Sequence, residues 1–308
     1  MAWAIVKVIG VGGAGINAVN HMIIKGIQDV VFIAADTDIQ ELSRSLAEHK
    51  IQLGSKLTKG LSAAANPQVG YKAAMESSED LAAILSGSEV VFVVAGMGGG
   101  TGTGAAPVIA SIAKRFSLLT AGIASPPFFF EGKTRLHNSD AGIAEFYKYL
   151  GRLIVIPIER VLSLAPKGAT YAEALKAADE VLYRTIKALS DLILRTGLNG
   201  GFDFADVRTV LEEPGRAVVG IGQAVGQFRA REAALAAATC PLLDGVNLVR
   251  ASQVLLKIDG APEVAELSEI ASIISEAAHE DVNVLFNTSH DDIKEDEICV
   301  TVIASGIN

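Results

Sequence analysis

The sequence predicts an α/β fold on three observations. Short apolar, β-branched runs alternate with stretches of helical spacing, the pattern of strands joined by crossover helices. Two of these runs, Trp3 to Ile9 and Glu89 to Val94, lead straight into a glycine-rich loop and then a helix. One long helical stretch, Tyr171 to Arg195, divides the chain and contains neither proline nor glycine.

The totals suit that class. The 308 residues are 50% hydrophobic with a mean hydropathy of +0.38, ample for two domains or one large α/β unit. A net charge of -9 argues against non-specific nucleic-acid binding. Two cysteines, Cys240 and Cys299, make no disulfide framework and read as small buried apolar residues of a reducing compartment. The apolar start carries glycines and Asn17 rather than a cleavage pattern, and no apolar run approaches the ~20 residues of a membrane span. The expectation is a soluble, cytoplasmic protein without direct membrane insertion. Five scattered histidines lack ligand spacing, so no metal site is assigned to protein side chains.

The strand Trp3 to Ile9 is followed by Gly10-Val11-Gly12-Gly13-Ala14-Gly15-Ile16-Asn17 and a helix from Asn17 to Ile24. Alone, this is a GxGxxG dinucleotide fingerprint. The strand Val30 to Ala35 ends at Asp36, about twenty residues on, where NAD enzymes place a ribose-binding acid. A hydride-transfer enzyme is therefore a rival reading, although it leaves a second glycine loop unexplained. Ile51 to Pro67 is a small-residue connection, and a helix is expected over Val69 to Leu85.

That second loop, Ala95 to Pro107, is the centre of the sequence. Six glycines fall between Gly96 and Gly104, an entropic cost with no return in a turn that binds nothing. Glycines let a backbone approach a ligand, and free amides at the start of the next helix, read over Val108 to Phe116 from Pro107, favour an anion. Thr101 and Thr103 add hydroxyls. The loop has no lysine, and GxxxxGK[ST] occurs nowhere in the chain, which excludes a P-loop of that type. Phosphate charge would be balanced by amides, helix dipoles and Mg²⁺.

Leu118 to Ala124 and Leu153 to Pro157 are further strands. Between them lies Phe128-Phe129-Phe130, read as part core and part loop, then Glu131 and Arg135, four apart and on one face if a helix starts there. After the long helix, whose Leu175, Ala178, Leu182, Ile186, Leu189 and Ile193 keep helical spacing, four strands are expected: Ala217 to Gly222, Val254 to Ile258, Val282 to Phe286 and Ile298 to Ala304. Helices over Phe228 to Ala238 and Glu263 to Ala278 complete a mixed sheet, with Glu297 read as solvated.

Four spaced motifs, in order, now carry a resemblance: Gly10 to Val19, Leu57-Thr58-Lys59-Gly60-Leu61, Ala65-Asn66-Pro67, and Gly96 to Pro107. Together they resemble the tubulin/FtsZ superfamily, and within it most closely the FtsZ family of prokaryotic division GTPases, over Ile5 to Ser305. The resemblance implies a Rossmann-like GTPase domain (residues 1–169), a central core helix (170–196) and a smaller mixed α/β C-terminal domain carrying a catalytic loop (197–308). It implies that Gly12, Gly13, Asn17, Gly98, Gly99, Gly100, Thr101, Gly102, Thr103 and Gly104 hold the phosphates of GTP or GDP. The backbone at Ala64 and Ala65 faces the γ-phosphate, Glu131 and Arg135 the ribose, and Asp179 accepts hydrogen bonds from guanine, as a carboxylate can from two donors.

The same resemblance implies a site shared between subunits. Asp203 and Asp206, in Gly197 to Val207, match the acids that one subunit offers to its neighbour's nucleotide, where a carboxylate can position water and accept its proton. A heterologous contact that does not close gives a head-to-tail filament with itself, or with an FtsZ-type paralogue. The chain stops at Asn308 just after its last strand, so the tail that binds division partners in that family is expected to be absent. Several positions depart from the family pattern. Asp36 replaces an asparagine, Ser62 and Ala64 replace glycines, Ile158 replaces an asparagine, and Leu175 replaces an aromatic that would stack on the base. The catalytic loop is one residue longer. These departures motivate an alternative, a structural or regulatory filament protein with weak turnover.

Overall fold

The computed structural model describes residues 4–163, 168–194, 204–212, 215–243, 248–278, 282–289, 294 and 296–307. Contacts group into two compact units, Met1–Tyr183 and Arg184–Asn308. The first unit begins with β1 (Val6–Val11), α1 (Gly12–Ile24), β2 (Val30–Asp36), α2 (Ile39–Arg44), β3 (His49–Gln52) and α3 (Ser55–Thr58). It continues with α4 (Pro67–Glu76), α5 (Ser78–Leu85), β4 (Val90–Gly96), α6 (Thr101–Arg115), β5 (Leu119–Ser125), α7 (Lys133–Tyr147), β6 (Arg152–Val155) and α8 (Ile158–Val161). The long helix α9 (Tyr171–Leu194) runs through the boundary between the units.

The strands of the first unit lie in the order β3-β2-β1-β4-β5-β6, every neighbouring pair parallel. Their sequences are continuous apolar runs because parallel strands are covered on both faces. Val90 to Ala95 of β4 are all buried. Strand order reverses between β1 and β4, and the carboxyl ends of these two strands open onto the crevice where open α/β sheets bind ligands.

The second unit adds α10 (Phe204–Glu212), β7 (Gly215–Val225), α11 (Arg229–Ala238), β8 (Gln253–Gly260), α12 (Val264–Ala277), β9 (Asn283–Ser289) and β10 (Glu297–Ile307). Its sheet is ordered β7-β10-β8-β9, antiparallel except for the parallel β8–β9 pair. Gly220 and Gly222 let α11 lie close on one face. A Cβ at these positions would stand 2.3 Å from the Ala237 carbonyl oxygen and 2.0 Å from that of Ala233. Lys257 of β8, fully buried, places its ammonium 2.7 Å from Asp259 Oδ1, 2.5 Å from Ser289 Oγ and 3.1 Å from Asp191 Oδ2 of α9.

Several boundaries depart from the sequence reading. Helix α1 starts at Gly12 rather than Asn17, and α6 starts at Thr101 with Pro107 inside it rather than at its first turn. Tertiary packing of backbone on backbone overrides the low helix propensity of glycine there. The helix expected over Val69 to Leu85 is two helices, because Ser77 leaves helical geometry (φ -94°, ψ 19°) and its hydroxyl accepts from Gly54 N at 3.0 Å. Glu297 is buried within β10, not solvated, and accepts a hydrogen bond from Gln223 Nε2 on the paired strand. The long helix and the strands Val30 to Ala35, Glu89 to Val94 and Leu118 to Ala124 are found within a residue or two of their expected limits.

Candidate nucleotide-binding site

Helices α1 and α6 start side by side at the carboxyl ends of β1 and β4. Gly12 has φ +73°, and a Cβ on it would stand 2.9 Å from Gly102 N. Glycine alone fits, and its absent side chain brings the two helix N-termini together. Gly102 is equally tight, its Cβ position lying 2.3 Å from the Gly96 carbonyl oxygen. Neither helix has a capping side chain at its start, and neither carries an acid in its first turn. Two sets of unpaired amides and two positive dipole ends therefore converge, the requirement for an anion site. Gly99 has open space around its Cβ position, while Gly98 takes φ +99° and donates its N–H to Thr103 Oγ1 at 2.8 Å. Gly13 is only partly buried and its Cβ position meets nothing nearer than the Glu41 carboxylate at 3.7 Å.

A string of hydroxyls ties this cradle to its surroundings. Thr101 Oγ1 lies 3.1 Å from Thr37 Oγ1, which accepts from Ala63 N at 3.0 Å. The end of β2, the start of α6 and the loop before α4 are thus locked together. Thr101 and Thr103 each spend part of their hydrogen-bonding capacity within the protein and keep the rest. Asp36 is buried beside them. Its Oδ1 accepts from Thr37 N at 2.6 Å and Asp38 N at 3.3 Å, turned back on its own chain rather than out towards a ribose. Burial pushes its carboxyl above the usual carboxylate range, against the hydrogen bonds to it.

Gly104 and Gly100 seat the neighbouring loop. A Cβ on Gly100 would stand 2.5 Å from the Ala64 carbonyl oxygen, so residues 63–66 lie directly on the cradle wall. Asn66 caps α4 by accepting from Gln68 N at 3.1 Å, and Asn138 Nδ2 of α7 holds the Ala65 carbonyl at 3.1 Å. Of the two residues standing in place of glycines, Ala64 has φ +49° while Ser62 does not enter the left-handed region. A left-handed alanine costs roughly 1 kcal/mol or more; glycine would relieve that strain, and its freer unfolded chain would offset part of the gain. Ala64→Gly is therefore expected to raise stability by up to about 1 kcal/mol, read as a higher urea midpoint at unchanged slope; an unchanged or lower midpoint would mean the strain is relieved elsewhere.

The remaining expected site residues come from several other elements. Glu131 and Arg135 pair across one helical turn, and Glu131 Oε1 also accepts from Phe128 N at 2.9 Å. The Arg135 carbonyl lies against Gly98, so the pair borders the cradle. Asn17 projects from α1 one turn beyond Gly13, exposed. Asp179 of α9 receives no hydrogen bond from any described residue, and burial pushes its carboxyl up to about 6, His21 opposing the shift. A half-buried carboxylate left without a donor is poised for an external one. Leu175 sits one turn earlier on α9, and Ile158 is buried at the start of α8. Asp203 lies outside the described residues. Asp206 falls in the first turn of α10, which starts at Phe204. The roles of Thr37 as a hub and of Asn138 as a brace had no signal in the sequence, since both are fixed by contacts between distant segments.

The chain was compared with known proteins. Residues 5–166 match the model of the tubulin/FtsZ family GTPase domain, and residues 215–308 that of the FtsZ family C-terminal domain. An empty FtsZ dimer from M. jannaschii is 36% identical with a TM-score of 0.93, over 99% of this chain and 89% of that one. A point mutant of M. jannaschii FtsZ is similar at 37% identity and TM-score 0.93, covering 99% and 92%. CetZ1 from Haloferax volcanii, a GDP-bound monomer, has the same fold at 19% identity and TM-score 0.82, covering 99% and 94%.

Proposed function

The chain belongs to the tubulin/FtsZ family, and from that premise we propose that it binds GTP in the glycine cradle, assembles head to tail, and hydrolyses GTP across the contact. The observation that carries this reading is the convergence of two uncapped, acid-free helix starts at Gly12 and Gly102. The amides of the first turns of α1 and α6 hold the phosphates, with Gly99 and Gly13 at the open side. Ala64 and Ala65 meet the terminal phosphate, Glu131 and Arg135 the ribose, and Asn17 the nucleoside side of the cradle. A Mg²⁺ ion, held mainly through phosphate and water oxygens, would neutralise charge on the phosphates.

Asp179 reads guanine by accepting from its ring and exocyclic N–H groups, which requires the ionised carboxylate. Because its carboxyl titrates near 6, the acceptor is present above that pH and is lost below it. GTP affinity is expected to fall towards tenfold per pH unit below about 6, and Asp179→Asn should flatten the dependence. An identical pH profile in wild type and variant would remove Asp179 from base reading.

Self-assembly has its own support. Ile39, Leu57 and Leu61 are exposed around the loop at one side of the cradle, and Phe129, Phe130 and Tyr171 are exposed beyond Glu131. Large apolar side chains around a ligand mouth mark a surface that a partner covers. A second copy would bring Asp203 and Asp206 to the nucleotide, where a carboxylate orients the attacking water and takes its proton. Asp203→Ala should still bind GTP and assemble yet turn over roughly 10²-fold slower or worse; wild-type turnover would exclude it from the mechanism. The deciding measurement is the rate per subunit against protein concentration with Mg²⁺ present. A rate near zero below a threshold, rising above it, supports a site built by assembly, and a flat rate overturns it. A filament with weak turnover is the second reading, favoured by the left-handed Ala64 beside the terminal phosphate position. It predicts bound GTP with negligible hydrolysis at every concentration. A part in cell division follows from the likeness to FtsZ, and is tested by filamentous growth on depletion.

A further inference from the structure

Helix α9 meets the end of α1 in a small cluster that the nucleotide reading leaves unused. Glu180 Oε2 accepts from His21 Nε2 at 3.0 Å, on the last turn of α1, and from Lys25 Nζ at 3.0 Å, at its C-cap. One turn further along α9, Tyr183 receives the His21 ring edge-on with centroids 6.0 Å apart, and Lys25 Nζ lies 5.4 Å over its ring. Two residues of one helix thus clasp two residues of another, by charge and by ring face.

The clasp also bears on Asp179, the residue beside Glu180 on α9. Successive residues on an α-helix are about 100° apart. Pinning Glu180 and Tyr183 to α1 therefore fixes the azimuth at which Asp179 stands, relative to the same helix whose first turn starts the cradle at Gly12. We infer that Glu180, held by His21 and Lys25, is a positioning residue for base recognition: it sets the angle of Asp179 and so the selectivity for a base with two adjacent donors. The inference rests on the reading of Asp179 as the guanine acceptor. The clasp is partly exposed, with Glu180 side-chain accessibility at 28% and Lys25 at 42%, so its effect is on orientation more than on stability.

The test compares GDP with IDP, which lacks the exocyclic amine and so reports on one of the two hydrogen bonds alone. In Glu180→Ala the preference for GDP over IDP should shrink three- to tenfold, with IDP affinity unchanged within twofold. Glu180→Gln, which keeps an acceptor for His21 and Lys25, should retain most of the preference. A Glu180→Ala chain with an unaltered ratio, or with both affinities reduced alike, overturns the positioning role. Asp179→Ala separates the two levels. If it collapses the ratio while Glu180→Ala does not, only the clasp fails; if it leaves the ratio unchanged, the base-reading role and the clasp fall together.

Discussion

Gly104→Ala is expected to lower the stability of the first unit by about 3 kcal/mol and to weaken nucleotide binding at least tenfold. A Cβ there would stand 2.0 Å from the Pro67 carbonyl oxygen and 2.5 Å from Tyr71 N, both backbone atoms of α4 that no rotamer change can move. Helix α4 must shift outward, and with it the loop of residues 63–66 that lies on Gly100. Gly70 faces the same crossing from the other side, its Cβ position 2.2 Å from the Gly100 carbonyl oxygen. Gly99→Ala is the control, because its Cβ meets nothing within 4 Å; it should stay within about 0.5 kcal/mol of wild type. Urea unfolding and calorimetric titration of both variants read the outcome, and equal stability of the two would refute the backbone-contact explanation.

Lys257→Met should cost the second unit about 3–5 kcal/mol. The substitution removes the ammonium that Asp259, Asp191 and Ser289 surround, leaving two buried carboxylates, of which Asp191 keeps Lys187 at 3.3 Å. Replacing the β8 pair, Lys257→Met with Asp259→Leu, should recover most of the loss, since Asp191 keeps Lys187 and apolar residues of similar volume often match a buried ion pair. A neutral single variant, or a double variant worse than the single, would show that the charges are not coupled as the distances imply.

The strands were legible because a parallel strand buried on both faces writes itself as an unbroken apolar run, as in Val90 to Ala95. The glycine loops were legible for a related reason: Gly12, Gly98, Gly100, Gly102 and Gly104 are required by contacts under 3 Å, so the loop composition encodes the cradle. The helix starts were not legible. Gly12 and Thr101 begin helices only because α1 and α6 pack against each other and against β4, and propensity at glycine points the other way. Ser77 breaks a helix through a hydrogen bond to Gly54, a partner 23 residues away. The charge of Lys257 was hidden in a strand that reads as apolar, Val254 to Ile258, because two of its partners, Ser289 and Asp191, arrive from β9 and α9. Asp179 was reached through the resemblance alone, because its place on α9 does not by itself distinguish a base acceptor from a solvated polar residue.

The meeting of α1 and α6 at their positive ends has a thermodynamic side. Like poles repel, so an empty cradle is electrostatically frustrated, and the fold around it is completed by whatever polyanion supplies the missing counter-charge. Such a ligand is a structural component of the first unit as well as its cargo. Its melting temperature becomes a function of free nucleotide, rising with ~1.4 kcal/mol for each tenfold of ligand above the dissociation constant, while the second unit gains nothing directly. Purification that strips the nucleotide would therefore loosen one half of the molecule ahead of the other.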